Sequence, residues 1–573
     1  MKRHKRWKVR SVAVEIVPAL ILALVTLAAA VVCSPGIAAA RPVIVTDQGP
    51  LRGLTVSGEQ QYLGIPYAAP PVGSLRWLPP EPPARFKGVF QATQFGSACT
   101  QPNPNAVGST VGSEDCLTLN IYVPGHQERD EGYDDVEPPP HGFPVMVWIH
   151  GGGLTGGVSF LFDPTPLVQK GNVIVVTINY RLGLLGFFAH PAIDAEGHLN
   201  ANYGLMDQQF ALDWVRRNIG AFGGDHKRVT IFGESAGGES VLSNVASPTA
   251  AGLFQGAISQ SAALIHFQDY FDPISIVPLA TAESIGTPFV PAGTALAAKV
   301  GCASQTAECL RATSAATLVE AEPSTLFPIV DGAILSQTPD AAFKSGAFNR
   351  VPIINGMNHD EYRLIVAIQY DLAGTPLTDA QYPDAVAALL NQIRTVSSAF
   401  VQAVLALYPL SNYPPPTGYS VSAPLALGAL GTDYGFECPA RNADLSLAKY
   451  VATYTYEFHD ETAPAFLLGL PFPLPPLSFP VGDAHSVEMQ YLFSPLFGVT
   501  PTFTSDQQQL SNTMIGYWTQ FAKGGNPNSE GAPNWPEYGA TARFQSLVAP
   551  TPAPESDASF DADHKCSLFW DTF

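Results

Sequence analysis

Charged residues are scarce in this sequence. Asp, Glu, Lys and Arg make up 14% of the 573 residues, whereas hydrophobic residues make up 46%. Disordered chains combine high charge with few hydrophobic residues, so this composition excludes a mainly disordered protein. Positive charge is the scarcer sign, with 29 Lys and Arg against 49 Asp and Glu. An acidic surface repels nucleic acid and anionic membranes, and we therefore expect no nucleic-acid partner.

The usual signatures of cofactor binding are also absent. The sequence contains no P-loop, no dinucleotide fingerprint and no internal repeat. None of its cysteine spacings resembles a zinc site. Proline and glycine are plentiful, at 52 and 50 residues, but they are spread along the chain. This composition is typical of a loop-rich globular protein. Without these motifs, the sequence carries no signal for a metal or an organic cofactor.

The first forty residues differ from the rest of the chain. A basic segment, MKRHKRWKVR, precedes the apolar stretch IVPALILALVTLAAAVV, and Ala38 and Ala40 form an A-x-A pattern. This arrangement predicts a secretory signal peptide over 1–40, followed by an exported single-domain chain, 41–573, without stable membrane insertion. The alternative is an uncleaved membrane anchor, because 17 residues lie at the lower limit of a membrane span. Cleavage would leave 23 basic and 48 acidic residues.

Six cysteines follow the predicted leader, and an even number in an exported chain favours disulfides. Fifteen pairings of six cysteines are possible. Pairing of nearest neighbours in sequence would give Cys99–Cys116, Cys302–Cys309 and Cys438–Cys566. The last of these bridges would close a long loop and fix the C-terminal tail.

Short runs rich in Val and Ile alternate with helical patterns from about residue 144 onward. Such runs are typical of buried parallel strands; they span 144–150, 172–181, 228–235, 255–261, 351–356 and 451–459. Helical spacing over 205–219 lies between two of them. The alternation predicts an α/β fold with one mostly parallel sheet covered by helices on both faces. We expect 42–65 and 116–123 to add an antiparallel edge, and proline clusters to mark long loops.

The segment TIFGESAGG, 230–238, contains the pattern G-x-S-x-G. A strand pattern, RVTIF, precedes Ser235 and a helical pattern, AGGESVLSNVA, follows it. This context predicts a nucleophile elbow, a strained turn that projects the serine above the sheet. Gly233 and Gly237 would allow the strand and the helix to approach each other closely.

An oxyanion hole is predicted by WIHGGGL, 148–154, which follows an earlier strand. Backbone N–H groups after such a strand can bind the negative oxygen of a tetrahedral intermediate. The expected donors are Gly152, Gly153 and Ala236, with Gly151 as the next candidate.

The acid and the base of a catalytic triad would follow the serine in chain order. Three histidines lie after residue 361: His459, His485 and His564. His485 is favoured because its loop, GDAHSVE, follows the last strong strand pattern. Glu361 and Asp360 both follow the strand pattern VPIING, and either carboxylate could hold the imidazole. Spacing alone leaves the choice between these two acids open.

Together these motifs resemble the type-B carboxylesterases, an α/β-hydrolase family that includes cholinesterases and the non-catalytic neuroligins. The resemblance covers nearly the whole chain after the leader. It also runs through YLGIPYAAPPVGSLRW, SEDCLTLNIYVP, TINYRLGLLGFF, NYGLMDQQFALDWVRRNIGAFGGD and FECPAR. It implies an α/β-hydrolase fold with long loop and helical insertions, and an acyl-enzyme mechanism without a cofactor.

The resemblance also implies roles for individual residues. Ser235 matches the nucleophile, His485 the base and Glu361, rather than Asp360, the acid. Buried polar neighbours of the triad in the family match Glu234, Ser261 and Glu488. FECPAR and HKCSLFW are similar to the segments that carry the third cholinesterase disulfide, which favours the Cys438–Cys566 pair.

Three features depart from the family pattern, and the first two bear on the substrate. The loop 99–116 contains no tryptophan to stack on a quaternary ammonium, so a choline ester is disfavoured. Leu154 stands where an aromatic residue commonly follows the three glycines, and Ala262 stands where glycine is frequent. The apolar stretch FLLGLPFPLPPLSFP, 466–480, either walls a substrate pocket or forms a buried loop without substrate contact.

The sequence therefore predicts a secreted serine carboxylesterase that hydrolyses a small, apolar ester. One alternative is a lipase that acts on longer-chain acylglycerols. A second alternative, a neuroligin-like binding protein, is disfavoured because all three triad positions are filled.

Overall fold

The computed structural model describes residues 43–572 except 105, 107, 126, 130–131, 135–137, 199–200, 263–277, 285–290, 324, 392–395 and 467–475. The predicted leader, 1–40, lies outside the described residues, as does most of the apolar stretch that precedes His485. Among the helices that the structure describes, none is both long and apolar enough to cross a membrane.

An eleven-stranded sheet forms the centre of the described structure. In chain order its strands are β1 (Leu54–Val56), β2 (Glu59–Pro66), β3 (Thr118–Val123), β4 (Phe143–Ile149), β5 (Ile174–Ile178), β6 (Gly224–Glu234), β7 (Gly256–Gln260), β8 (Ile353–Asn358), β9 (Thr453–Phe458), β10 (Arg543–Leu547) and β11 (Ala553–Ser556). They lie in the order β11-β10-β9-β8-β7-β6-β4-β5-β3-β2-β1. Strands β4 to β10 pair in parallel with one another, and antiparallel strands flank them at both edges.

Helices cover both faces of the sheet, and both faces are apolar. Along β4, Val145, Val147 and Ile149 belong to one hydrophobic cluster, whereas Met146 and Trp148 belong to the other. All seven residues of this strand are buried. Because successive side chains of a strand point to opposite faces, a continuous apolar run follows from burial on both sides.

The helices, named in chain order, are α1 (Thr165–Gly171), α2 (Gly183–Gly186), α3 (Pro191–Asp194), α4 (Tyr203–Asn218), α5 (Ala236–Ala246), α6 (Leu279–Ser284), α7 (Gly293–Lys299), α8 (Ala307–Ala312), α9 (Ala315–Ala321), α10 (Pro339–Ser345), α11 (Tyr362–Val366), α12 (Tyr382–Asn391), α13 (Ser398–Leu407), α14 (Ala423–Thr432), α15 (Cys438–Leu447), α16 (Ser505–Gly524), α17 (Tyr538–Thr541) and α18 (Asp557–His564). The longest, α16, begins with a capping box between Thr504 and Gln507 and ends at Gly525 in the left-handed conformation.

The six strands predicted from Val- and Ile-rich runs are confirmed, as is the helix predicted over 205–219, which spans Tyr203–Asn218. The expected antiparallel edge is confirmed for β1, β2 and β3. The strands Ile44–Thr46 and Gly49–Arg52 do not join it, because they pair with each other and with Phe90–Gln91 in a separate three-stranded sheet. Two further hairpins pair Gln101–Pro102 with Thr110–Val111 and Gln127–Arg129 with Gly132–Asp134.

Three disulfides join the six cysteines in the pairs Cys99–Cys116, Cys302–Cys309 and Cys438–Cys566. The third bridge spans 128 residues of sequence and attaches the C-terminal tail to the start of α15. Arg441 of α15 adds ion pairs to Asp557 at 2.8 Å and to Asp571 at 3.1 Å. The tail therefore packs beside β9, whose carboxyl end lies next to that of β8.

Candidate active site

Ser235 lies in the sharp turn between β6 and α5. Its backbone has φ 57° and ψ −127°, a conformation that is costly for a residue with a side chain. Its N–H donates to the carbonyl of Gln260 at 2.9 Å. A Cβ on Gly237 would lie 2.1 Å from the carbonyl oxygen of Ile149, so only glycine fits there. Close packing of α5 against β4 thus accompanies the strained turn, as predicted from the motif.

Glu361 and His485 form a buried acid–base pair. Glu361 follows β8 and is completely buried, and His485 lies in the loop that precedes the 3₁₀ turn Val487–Tyr491. The Glu361 Oε2 atom lies 2.5 Å from His485 Nδ1, and the His485 backbone N–H donates to the Glu361 carbonyl at 3.3 Å. The ring of Phe436 packs 5.5 Å from the imidazole, measured between centroids. Because Nδ1 faces the carboxylate, Nε2 is left to face a proton donor or acceptor.

The other oxygen of Glu361 is also fixed. Its Oε1 accepts a hydrogen bond from the backbone N–H of Asn358 at 2.8 Å. The Asn358 side chain in turn donates to the Ala484 carbonyl at 2.9 Å and to Glu488 Oε2 at 2.7 Å. The end of β8 therefore orients the carboxylate and also holds the loop that carries the histidine.

Glu234 links the serine turn to the histidine. Its Oε1 lies 3.3 Å from His485 Nε2 and also accepts a hydrogen bond from the Ser486 hydroxyl. Within the part of the chain that the structure describes, no hydrogen bond joins the Ser235 hydroxyl to His485. Catalytic hydrogen bonds are often long without substrate and shorten in the reacting complex.

The other two residues predicted to support the site differ in their contacts. Glu488 is completely buried, and its Oε1 accepts from Gln260 Nε2 at 3.1 Å, so it connects β7 to the histidine loop. Ser261 follows β7 with φ 51°, and its N–H donates to the Gly356 carbonyl at 2.8 Å. Its buried hydroxyl has no hydrogen-bond partner among the described residues.

Carboxylates dominate the electrostatics of the site. Burial lowers the pKa of His485, but the Glu361 and Glu234 carboxylates outweigh that effect and raise this pKa to about 9. Burial, with the neighbouring carboxylates of Glu234 and Glu361, raises the pKa of Glu488 to about 8. Burial also raises the pKa of Glu234, although His485 and Ser486 oppose the shift. The site therefore stabilises an imidazolium ion.

The glycine loop after β4 packs directly against the serine turn. A Cβ on Gly151 would lie 2.6 Å from the Glu234 carbonyl oxygen and 3.0 Å from Ser235 Cβ. Gly152 and Gly153 have φ of 113° and 63°. The backbone N–H groups of Gly152, Gly153 and Ala236 donate to no acceptor among the described residues, so they are available for a ligand oxygen. The Leu154 side chain is completely buried in the same hydrophobic cluster as Val145 of β4.

The alternative acid and bases from the sequence lie elsewhere. Asp360 pairs with Arg363 at 2.5 Å rather than with His485. His459 stacks on His359, with ring centroids 4.2 Å apart. His564 lies between Asp433, at 2.6 Å, and Glu457, at 2.8 Å.

Three residues of the hydrogen-bond network were not predicted: Asn358, Gln260 and Ser486. Asn358 and Gln260 occupy the last positions of adjacent parallel strands, and the carboxyl ends of such strands are where binding residues gather. That position is the signal that could have identified them. Ser486 adjoins His485 and carries no distinguishing pattern of its own.

Comparison with known proteins places this chain in a family. The family model "Carboxylesterase family" matches residues 40–568. The chain is 35% identical to the cocaine esterase of Oryctolagus cuniculus, over 89% of this chain and 92% of that one. It is 34% identical to the pyrethroid hydrolase Ces2e of Rattus norvegicus, over 87% and 84%. Among solved structures, a PNB esterase matches with TM-score 0.68 and 30% identity, over 91% of this chain and 99% of that one. The chain therefore belongs to the carboxylesterase family, has the α/β-hydrolase fold and is a carboxylic ester hydrolase.

Proposed function

We propose that this enzyme is an exported serine carboxylesterase that acts through an acyl-enzyme on Ser235. The observation that carries the proposal is the pairing of Glu361 with His485 Nδ1 beside the strained Ser235 turn. Nε2 of His485 takes the proton of the Ser235 hydroxyl as Oγ bonds to the ester carbonyl carbon. Glu361 stabilises the imidazolium that results.

The carbonyl oxygen becomes negative in this step and needs donors that are already in place. We assign this role to the backbone N–H groups of Gly152, Gly153 and Ala236, which have no other acceptor among the described residues. Loss of one such donor typically lowers turnover by about 100- to 1000-fold. When the intermediate collapses, the bond to the alcohol oxygen breaks and His485 gives its proton to that oxygen.

Deacylation repeats the same chemistry with water. His485 removes a proton from water, the water oxygen bonds to the acyl carbon, and Ser235 Oγ leaves and regains its proton. The acid is then released. Glu234 is placed to position the imidazole, because its carboxylate lies 3.3 Å from Nε2 and holds the Ser486 hydroxyl next to it.

The value of kcat/KM for a soluble ester is expected to rise with pH to a plateau above about pH 9. Protonated His485 cannot accept the serine proton, and the neighbouring carboxylates raise its pKa to about 9. Below that value kcat/KM should fall about tenfold per pH unit. A pH–rate profile of the wild-type enzyme gives the midpoint, which is the pH at which kcat/KM reaches half of its plateau value.

Glu234→Gln should move that midpoint to lower pH, because it removes one of the carboxylates that favour the imidazolium. Glu59→Gln is the matched control, since Glu59 is buried but lies in β2 near the far edge of the sheet. A midpoint that moves equally in both variants, or in neither, would contradict the assigned electrostatics.

We further propose that the chain is exported by a cleaved leader, 1–40, and that its substrates are small apolar esters. Three disulfides support an oxidising compartment. Relatives named for the hydrolysis of cocaine and pyrethroids support small-molecule substrates. The absence of tryptophan between Cys99 and Cys116 disfavours choline esters.

A panel of esters with increasing acyl length separates an esterase from a lipase. We expect smooth saturation with soluble short-chain esters and no increase in rate when a long-chain ester exceeds its solubility limit. A sharp rate increase at that limit, with weak activity below it, would favour the lipase alternative. Initial rates on each side of the limit give the comparison.

A further inference from the structure

A second group of chemically reactive side chains lies at the carboxyl ends of β8 and β9. His359 and His459 directly follow these two strands, which pair in parallel up to Asn358 and Phe458. Their rings stack with centroids 4.2 Å apart and an interplanar angle of 10°. Both histidines are partly exposed, so a small ion has access from solvent.

Asp483 completes the group from the histidine loop. Its side chain is completely buried, and its carboxyl group shares a hydrogen bond with that of Asp360. One oxygen of Asp483 and one ring nitrogen from each of His359 and His459 all lie within 4.8 Å of one another. Two neighbouring buried carboxylates repel each other when both are ionised, and a cation bound between His359, His459 and Asp483 would compensate this negative charge.

The surroundings carry an excess of negative charge. Asp360 Oδ1 lies 3.4 Å from His359 Nδ1, and Asp563 Oδ2 lies 3.4 Å from His359 Nε2. Arg363 is engaged by Asp360 at 2.5 Å. Whichever nitrogen of His359 binds an ion, a carboxylate is therefore placed to accept the proton of the other nitrogen, as is usual for metal-binding histidines.

We propose that His359, His459 and Asp483 form a binding site for Zn²⁺ beside the ester-hydrolysing site. Two imidazoles and one carboxylate are ligands that suit zinc, whereas calcium and magnesium prefer oxygen ligands. Tetrahedral zinc places its ligand atoms about 3.4 Å apart. An imidazole binds zinc in the plane of its ring, so the His359 and His459 rings must turn out of their nearly parallel stack to point at one ion, and a water completes the coordination.

A neighbouring group, His359 with Glu457 and His564, is a weaker candidate for the same ion. Both ring nitrogens of His564 already have partners, Asp433 at 2.6 Å and Glu457 at 2.8 Å. Binding a metal there would break a satisfied, buried network. Asp483, in contrast, contacts the carboxyl group of Asp360, and a cation would relieve the repulsion between these two groups when both are ionised.

A filled site would connect the two segments that carry the acid and the base. His359 lies two residues before Glu361, and Asp483 lies two residues before His485. Zinc would thus fix the end of β8 and the histidine loop to one ion. This inference does not depend on the proposed exported esterase function.

Titration of the full-length, disulfide-bonded protein with Zn²⁺ tests the proposal. The protein is first freed of metal with a chelator, and binding is then measured by competition with a chromogenic zinc indicator. Wild-type protein should bind one Zn²⁺ per chain with saturable affinity. His459→Asn and Asp483→Asn should each weaken this binding by at least about tenfold, because each removes one ligand.

His226→Asn is the matched control, since His226 is exposed and lies outside the group. It should bind zinc as the wild type does. The far-ultraviolet circular dichroism spectrum shows whether the buried Asp483→Asn variant folds. If it does not fold, the His459→Asn variant decides the outcome. The proposal is overturned if wild-type protein binds no zinc, or if His459→Asn and His226→Asn bind it equally well.

Discussion

Ser235→Ala is expected to eliminate the burst of nitrophenol that wild-type enzyme releases from a p-nitrophenyl ester, and to lower kcat by about a million-fold. The burst measures formation of the acyl-enzyme, which needs an oxygen nucleophile on residue 235. Stopped-flow absorbance of nitrophenol separates the burst from steady turnover. A residual rate above that in water is expected, because the glycine loop can still bind the substrate oxygen.

Ser243→Ala provides the matched control for that experiment. Ser243 lies in α5, the same helix that begins after Ser235, and its buried hydroxyl has no hydrogen-bond partner among the described residues. Its removal should leave both the burst and kcat nearly unchanged. An unaltered burst in Ser235→Ala would exclude Ser235 as the nucleophile.

Local features of this molecule could be predicted because a few adjacent residues determine them. The elbow needs a buried strand, two glycines and a helix within one short segment, and its backbone strain is seen at Ser235. The parallel strands could likewise be recognised, because burial on both faces requires continuous apolar runs such as that of β4.

Features that depend on strand pairing could not be predicted in the same way. His359 and His459 are a hundred residues apart, and they stack only because β8 and β9 pair in one register. A shift of one residue would place either ring on the opposite face of the sheet. Asp483 reaches the same place from a loop, for which the sequence carries no periodic signal.

The choice of the catalytic acid also could not be made from the spacing of residues in the sequence. Asp360 and Glu361 are adjacent, and spacing alone does not distinguish them. In the structure their side chains engage different partners: Asp360 pairs with Arg363, and Glu361 contacts His485. The helix α11 begins directly after Glu361, and this turn directs successive side chains to different sides.

Because Asp360 and Glu361 contact different partners, Glu361→Gln is the most informative test of which residue is the acid. An amide keeps the size of the side chain but cannot stabilise the imidazolium, and it also disturbs the tautomer in which Nε2 accepts the serine proton. We therefore expect kcat for a p-nitrophenyl ester to fall by about 10⁴-fold. Steady-state kinetics above the pH–rate midpoint measure the change without interference from His485 titration.

Asp360→Asn is its matched control, at the adjacent position and with the same chemical change. Asp360 contacts Arg363, His359 and Asp483 but does not contact His485, so the loss in kcat should stay within about tenfold. The comparison is decisive because both variants remove one buried negative charge from the end of β8. If general loss of charge were responsible, the two variants would lose activity alike. A large loss in Asp360→Asn with a small one in Glu361→Gln would instead identify Asp360 as the acid and reverse the assignment.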